Sequence, residues 1–379
     1  MTVFDTEPVG PLRQPAMRVV TLCGSTASKF DAIRDSQDIL EARFAEAGLS
    51  VHPVDPGAWS LAMVPAILRE ISRAKPDVIL MQYPSRAFGA SLGPVAISAI
   101  QRIAPLVVML HEFVAAHPLR KAAVGALLVR ADRIGVTADR EAERLRTWFP
   151  WLRGRFRNIP IASNIPGRAW APSAPPRVVY FGQMRPRKGL EEFFECRERI
   201  VSAMPHVRFG IIGAPVPKFA EYGAMIQDRA RECGISVLPS GESADVADAL
   251  AQATLALLPF PDGASFRRGS LFAAAGCGVP FVTTVGDDTP EQLLPFLQPA
   301  RNVSELSGLA LRYLSDDRSL SDAHDRSVRL SALFGWDRTV DRYLEVFAEV
   351  LANKRGPSQT LLAPPKQAGR LPMASESKS

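Results

Sequence analysis

Short apolar runs alternate with helical patterns along almost the whole chain. In the first half the runs are Arg18–Leu22, Leu49–Val54, Asp77–Tyr83, Leu106–Leu110 and Arg133–Thr137, with helical stretches such as Ala62–Ala74 and Gly93–Ile103 between them. In the second half they are Arg177–Phe181, Val207–Ile212, Ile235–Leu238, Leu255–Phe260 and Pro280–Thr284. Runs this uniformly apolar suit strands covered on both faces, which is the situation in a parallel sheet. Lys188–Met204 reads as a helix, because Leu190, Phe193, Phe194, Ile200, Val201 and Met204 fall on one side of it. The alternation predicts an α/β chain with parallel sheets and helices on both faces.

The pattern breaks at Asn158–Arg177, where Pro160, Pro166, Pro172, Pro175 and Pro176 stand among glycine and serine. Regular structure is not expected to continue through it. We read a disordered N-terminus at 1–16, a Rossmann-like domain at 17–165, a linker at 166–176 and a second Rossmann-like domain at 177–335. A final helix at 336–352 carries the stripe Trp336, Val340, Tyr343, Leu344, Phe347 and Leu351, which must be buried somewhere, the first domain being the expected place. The stretch 353–379 lacks periodicity and reads as a disordered basic tail. Ligands of doubly wound sheets bind at the carboxyl ends of the strands. If the two halves face each other, the cleft between them is the site.

Charge alters the picture less than its sum suggests. The net charge is +6, but from Asn353 onward Lys354, Arg355, Lys366, Arg370 and Lys378 face only Glu376. The body is therefore close to neutral, and a nucleic-acid groove is not expected on it. Cys23, Cys196, Cys233 and Cys277 form no CxxC pair, which argues against a disulfide framework or zinc site and for a reducing compartment. Met1–Pro15 is polar, and no apolar run reaches the ~18 residues of a membrane span. A cytoplasmic protein is expected, with peripheral contact at the inner membrane left open.

The most informative motif is Val178-Val179-Tyr180-Phe181-Gly182-Gln183-Met184-Arg185-Pro186-Arg187-Lys188-Gly189-Leu190. An apolar strand ends at a glycine, a basic loop follows, and a helix begins. Cationic side chains beside free N–H groups and a helix dipole suit an anion, above all a phosphate. Lys188 is expected to open the helix and to neutralise a diphosphate, although a lysine in such a loop is also an ordinary surface residue. A second basic turn, Ser265-Phe266-Arg267-Arg268-Gly269-Ser270, follows Gly263 after the apolar run Leu255–Phe260, which reads as a central buried strand. There Gly269 would permit close backbone approach, and Ser270 would cap a helix or bond a phosphate oxygen. Two such turns suggest a diphosphate held between them.

The first half offers weaker signals. Cys23-Gly24-Ser25-Thr26 makes a small-residue turn after the first strand, where Gly24 and Ser25 could cradle a phosphate or let a substrate approach in the cleft, but it is not a G-x-G-x-x-G dinucleotide fingerprint. His111-Glu112 ends the fourth strand, where a histidine can bond a sugar hydroxyl or phosphate, move a proton, or merely cap the strand. His117, just before Pro118, reads as structural. No metal-ligand spacing and no G-x-S-x-G signature occurs, so no metal or other cofactor is expected.

In this order the landmarks resemble the family 4 retaining glycosyltransferases of the GT-B fold. The likeness covers most of Arg18–Leu351 as architecture and is most specific at Phe181–Gly189 and Leu257–Thr284. It implies two facing Rossmann-like domains, the second holding a nucleotide-diphosphate sugar and the first a glycan, lipid-linked or small-molecule acceptor, in polysaccharide or glycoconjugate biosynthesis. Lys188 matches the family's diphosphate lysine. Gln183 stands at its arginine position, so Arg185 or Arg187 would substitute. Alignment on Cys277-Gly278-Val279-Pro280 puts Ser265 and Ala273 where the family has its Glu-x7-Glu pair, leaving Arg267, Arg268 and Ser270 for phosphate contacts. His111 matches the histidine near the donor sugar, and Asn164 the polar residue after the last strand of the first domain. The missing glutamates leave open a non-catalytic glycan- or nucleotide-binding role. An epimerase or phosphorylase on the same fold is a further alternative.

Overall fold

Two parallel sheets organise the computed structural model, which describes residues 16–24, 32–83, 88, 91–111, 118–137, 139–238, 240–287 and 289–355. The first half runs β1 (Arg18–Cys23), α1 (Ala32–Glu46), β2 (Ser50–Val54), α2 (Val64–Ala74), β3 (Val78–Tyr83), α3 (Gly93–Ile100), β4 (Leu106–Leu110), α4 (Pro118–Val129), β5 (Arg133–Val136), α5 (Asp139–Trp148) and β6 (Phe156–Asn158). Its sheet has the order β2-β1-β3-β4-β5-β6. The second half runs β7 (Arg177–Phe181), α6 (Leu190–Ala203), β8 (Arg208–Ile212), α7 (Ala220–Glu232), β9 (Ser236–Leu238), α8 (Ser243–Ala251), β10 (Leu255–Leu258), α9 (Gly269–Gly276), β11 (Phe281–Thr283), α10 (Val303–Ser315) and α11 (Asp317–Phe334). Its sheet has the order β11-β10-β7-β8-β9. The chain closes with α12 (Trp336–Arg355).

The α/β reading of the sequence holds, and the physical reason is visible strand by strand. β3, β4 and β10 are buried at every position, as central strands between two helical layers must be. β2 pairs on one side only and tolerates Pro53 and an exposed His52, as an edge strand can. The three-residue edge strand β6 carries too short an apolar signal to be read from sequence. α3 stops at Ile100, three residues before the predicted end.

In each sheet the strand order reverses at one place: between β1 and β3 in the first, between β7 and β10 in the second. At such a point the loops of the two neighbouring strands turn to opposite faces and leave a crevice for a ligand.

The residues between β6 and β7 form no helix or strand, and several pack on the second half. The Trp170 indole donates to the Ala253 carbonyl at 2.8 Å and stacks on His324, while the Ala171 and Ser173 N–H groups bond Ala251 and Gln252 carbonyls. α12 instead lies on the first half. Phe347 and Tyr343 meet Phe44 of α1, and the Trp336 indole donates to the Ser163 carbonyl at 2.8 Å. Glu349 accepts from Arg133 at 2.8 Å and pairs with Arg157 at 2.7 Å. The helix runs to Arg355, so residues 353–355, read as tail, are helical. Among the described residues no helix is long and apolar enough to cross a membrane.

Candidate functional site

The loop after β7 is built to present cations. Gly213 sits against the carbonyl oxygen of Gly182 with no room for a β-carbon, which draws the loop start onto β8. Arg187 adopts φ +62°, unusual for a residue with a side chain, and Gly189 adopts φ +86°. Gly189, not Lys188, caps α6, so Lys188 stands in the loop ahead of the helix instead of opening it. Its carbonyl accepts from the Tyr180 hydroxyl at 2.9 Å, fixing the loop to the strand it left. No side chain caps α6, and its first N–H groups are left to a ligand or water.

The second basic turn meets the first at the switch point. Gly189 packs directly on the Pro259 carbonyl, just beyond β10. From that loop Arg268 extends with only 11% of its side chain exposed, its guanidinium 4.6 Å from the Phe260 ring centre and ion-paired with Asp262. Its Nε is buried and without a hydrogen-bond partner. Burial and the charges of Arg185 and Arg268 hold the Lys188 ammonium down to about 8. Burial likewise lowers Arg268, Arg185 adding to the effect. Arg185 and Arg268 thus each act on Lys188, and Arg185 on Arg268, which Asp262 already partners; a bound anion would relieve the remaining repulsion between the two loops.

The other predicted residues of this half divide. Gln183 accepts from Arg185 Nε at 3.2 Å and so helps aim it. Gly263, at φ +84°, brings its loop against Gly286 after β11. Arg187 and Arg267 are exposed, and the electrostatics of Lys188 register neither. The Ser265 carbonyl accepts from the Arg268 N–H at 3.0 Å. Arg268 holds the N-cap position of α9, so Ser270 falls inside the first turn and does not cap it. Nothing lies within 4 Å of a β-carbon on Gly269, so no backbone approach requires that glycine. Beside this loop a cavity of about 610 Å³ opens at the carboxyl ends of β10 and β11, walled by residues 259–263 and 284–287, with Glu192 of α6 and the start of α10.

In the first half His111 stands at the end of β4 and is tied to β3. Its Nε2 lies 2.6 Å from Gln82 Oε1, and Gln82 Nε2 donates to the Tyr343 hydroxyl of α12 at 3.1 Å. With that amide orientation the Gln82 oxygen can only accept, so Nε2 carries the hydrogen and Nδ1 is the acceptor. Burial pushes the imidazole down to about 4, and it is neutral near pH 7. Asn164 accepts from Ser36 at 2.6 Å. Gly24 lies under the Phe88 ring, 2.7 Å from where its β-carbon would be, so its smallness serves that packing. Ser25 and Glu112 lie outside the described residues. Sequence reasoning missed Gln82, Tyr343, Asp262 and Glu192. Only Gln82 carried a signal, as an amide inside the otherwise apolar run of β3.

Comparison with known proteins places these features. Residues 175–316 match the family model described as glycosyl transferases group 1. A glycosyltransferase from Rickettsia africae ESF-5 superposes with a TM-score of 0.67 at 9% identity, over 90% of this chain and 100% of that one. Anabaena HepE, solved with UDP and glucose, gives 0.61 at 14% identity, over 88% and 100%. The pneumococcal O-GlcNAc transferase GtfA, solved with UDP and GlcNAc, gives 0.56 at 16% identity, over 76% of this chain and 60% of that one.

The fold is GT-B.

The present chain thus spans about 60% of GtfA and the full length of the other two. No curated protein matches it. The group 1 match begins just before β7 and ends after α10, so it contains both basic turns and the switch point between them.

Proposed function

We propose that this chain is a retaining glycosyltransferase that moves a sugar from a nucleotide-diphosphate donor to a glycan, lipid-linked or small-molecule acceptor. The observation that carries the reading is the convergence of Lys188, Arg185 and Arg268 at the β7/β10 switch point, within the group 1 match. Glycosyl transfer breaks the bond between the anomeric carbon and the diphosphate and leaves negative charge on the phosphate oxygens. Cations already assembled there, beside the open start of α6, stabilise that charge more than they stabilise the bound donor. In this reading side chains and the helix dipole neutralise the leaving group without a resident metal ion. UDP in the solved HepE and GtfA complexes supports a uridine nucleotide as the first donor to try.

His111 is assigned to the donor sugar. Its neutral imidazole presents Nδ1 as an acceptor for a sugar hydroxyl, with Gln82 holding the ring in place. Retention follows from attack by the acceptor on the face the diphosphate leaves, the phosphate oxygen taking the acceptor proton. A non-catalytic role draws on one observation: Ala273, at one place of the family's glutamate pair, is wholly buried in α9, so no carboxylate would reach a ribose from it.

The experiment is a thermal-shift panel of UDP-, GDP-, ADP- and dTDP-sugars on wild type and Lys188→Ala, followed by donor turnover. Stabilisation by one nucleotide class, lost in the variant, together with turnover, is the expected result. Binding without turnover at any acceptor would favour the non-catalytic role, and absence of binding would overturn the donor site.

A further inference from the structure

We propose that the first half docks on an anionic lipid surface through an arginine- and tryptophan-rich segment joining α5 to β6, a role separate from the donor site. Between Arg144 and Arg157 the sequence reads RLRTWFPWLRGRFR, with five arginines, four aromatic residues and no acidic residue. Leu145, Leu152 and Phe156 of this stretch are buried and fix it to the core. Arg155 pins it further, donating to the Val129 and Ala131 carbonyls at 2.9 Å each. Arg157 is paired with Glu349. The two indoles point outward: Trp151 is 68% exposed, Trp148 56%, and the neighbouring Val129 of α4 49%. Arg144 and Arg153 are exposed beside them, and the acidic residues of α5, Asp139, Glu141 and Glu143, all precede the stretch.

The burial of Leu152 and Phe156 anchors the segment, while most of each indole stays open to solvent. Phe149 packs on Gly125 of α4 and meets Trp151 edge-on, ring centres 5.8 Å apart, so the aromatic ridge is held in place before any partner arrives. Indole rings beside guanidinium groups suit the headgroup layer of a bilayer, where the rings enter the apolar boundary and the cations stay at the phosphates. Trp and Arg can also serve single-stranded nucleic acid by stacking. Here, however, the Lys121 ammonium sits 4.8 Å from the centre of the Trp148 ring and covers one face of it, adding a further cation beside the indole. A lipid surface is the better fit.

The test is co-sedimentation of the full chain with neutral phosphatidylcholine vesicles and with vesicles in which about a third of the lipid is phosphatidylglycerol, following tryptophan emission. Wild type should bind the anionic vesicles, shift its emission to shorter wavelength and release in high salt. Trp148→Ala/Trp151→Ala should abolish the emission shift and weaken binding at least tenfold. Arg144→Ala and Arg153→Ala should each weaken binding roughly fivefold. All variants keep the basic C-terminal tail, so binding that persists in them would overturn the proposal, as would failure of the wild type to bind. Tighter binding to single-stranded RNA than to vesicles would overturn it in favour of nucleic acid. Unchanged melting curves and nucleotide response in the variants would show that fold and donor site are intact.

Discussion

Gly189 rests on the carbonyl oxygen of Pro259 with no space for a β-carbon between them. This contact locks the loop after β7 to the loop after β10, and with them Lys188 to Arg268. Gly189 also needs its left-handed φ of +86°, which side chains disfavour. Gly189→Ala therefore meets backbone on one side and strain on the other. The expected cost is about 2–4 kcal/mol in chemical denaturation, with loss of the thermal shift by donor.

Lys188 is held near 8, below its ordinary 10.5, by burial and by two arginines. The sign follows. The unfolded chain holds this proton more tightly, so the charge costs stability below about pH 8, and the cost fades as pH rises toward 10.5. Lys188→Met removes it. The unliganded variant should melt at the same temperature or a few degrees higher, while kcat/KM falls by about 10²–10³. In the wild type, donor affinity should weaken as pH rises through 8, by up to about tenfold per unit, which calorimetry across that range checks.

The adjacent arginines of the second turn separate cleanly. Arg268 is nearly buried and electrostatically coupled to Lys188, whereas Arg267 is exposed. Arg268→Ala should weaken nucleotide-diphosphate binding by about 100-fold, and Arg267→Ala by less than about threefold. Equal losses in titration would show that both reach the phosphates.

His111 offers a pH test. Its folded value is about 4 against an ordinary 6.5, so the unfolded chain takes the proton first. Its contribution to stability is complete above pH 6.5 and is lost as pH falls from 6.5 toward 4, at up to about 1.4 kcal/mol per unit. Gln82→Glu would set a carboxylate against Nε2 and raise the His111 titration by about one unit or more, as seen by NMR. Unchanged titration in that variant would mean the contact does not form in solution.

The stability of α12 on the first half can be probed at Phe347, wholly buried against Phe44 and Tyr343. Phe347→Ala should cost about 3–5 kcal/mol in equilibrium unfolding.

How far the sequence reached depends on the range of the interaction. The central strands announced themselves because burial on both faces demands unbroken apolar runs, and β6 did not because three residues at an edge carry no such demand. Lys188 and Arg185 were legible because strand, glycine and helix surround them in sequence. Of the two readings of Ser270, cap or phosphate ligand, the first fails because the N-cap position falls two residues earlier, at Arg268. Gly24 was read as room for a ligand, whereas Phe88, distant in sequence, fills that room.

The sequence alone determined the α/β alternation, the position of the proline-rich break and the two basic turns. Each depends on residues near one another along the chain, through burial periodicity, backbone preference and local charge. Tertiary structure alone decided that β7 and β10 are neighbours across a switch point, that Arg268 is buried and acts on the Lys188 charge while Arg267 is exposed, and that Tyr343 of α12 supports His111 through Gln82. Those outcomes turn on strand order and on contacts between residues up to 261 positions apart, which no local pattern encodes.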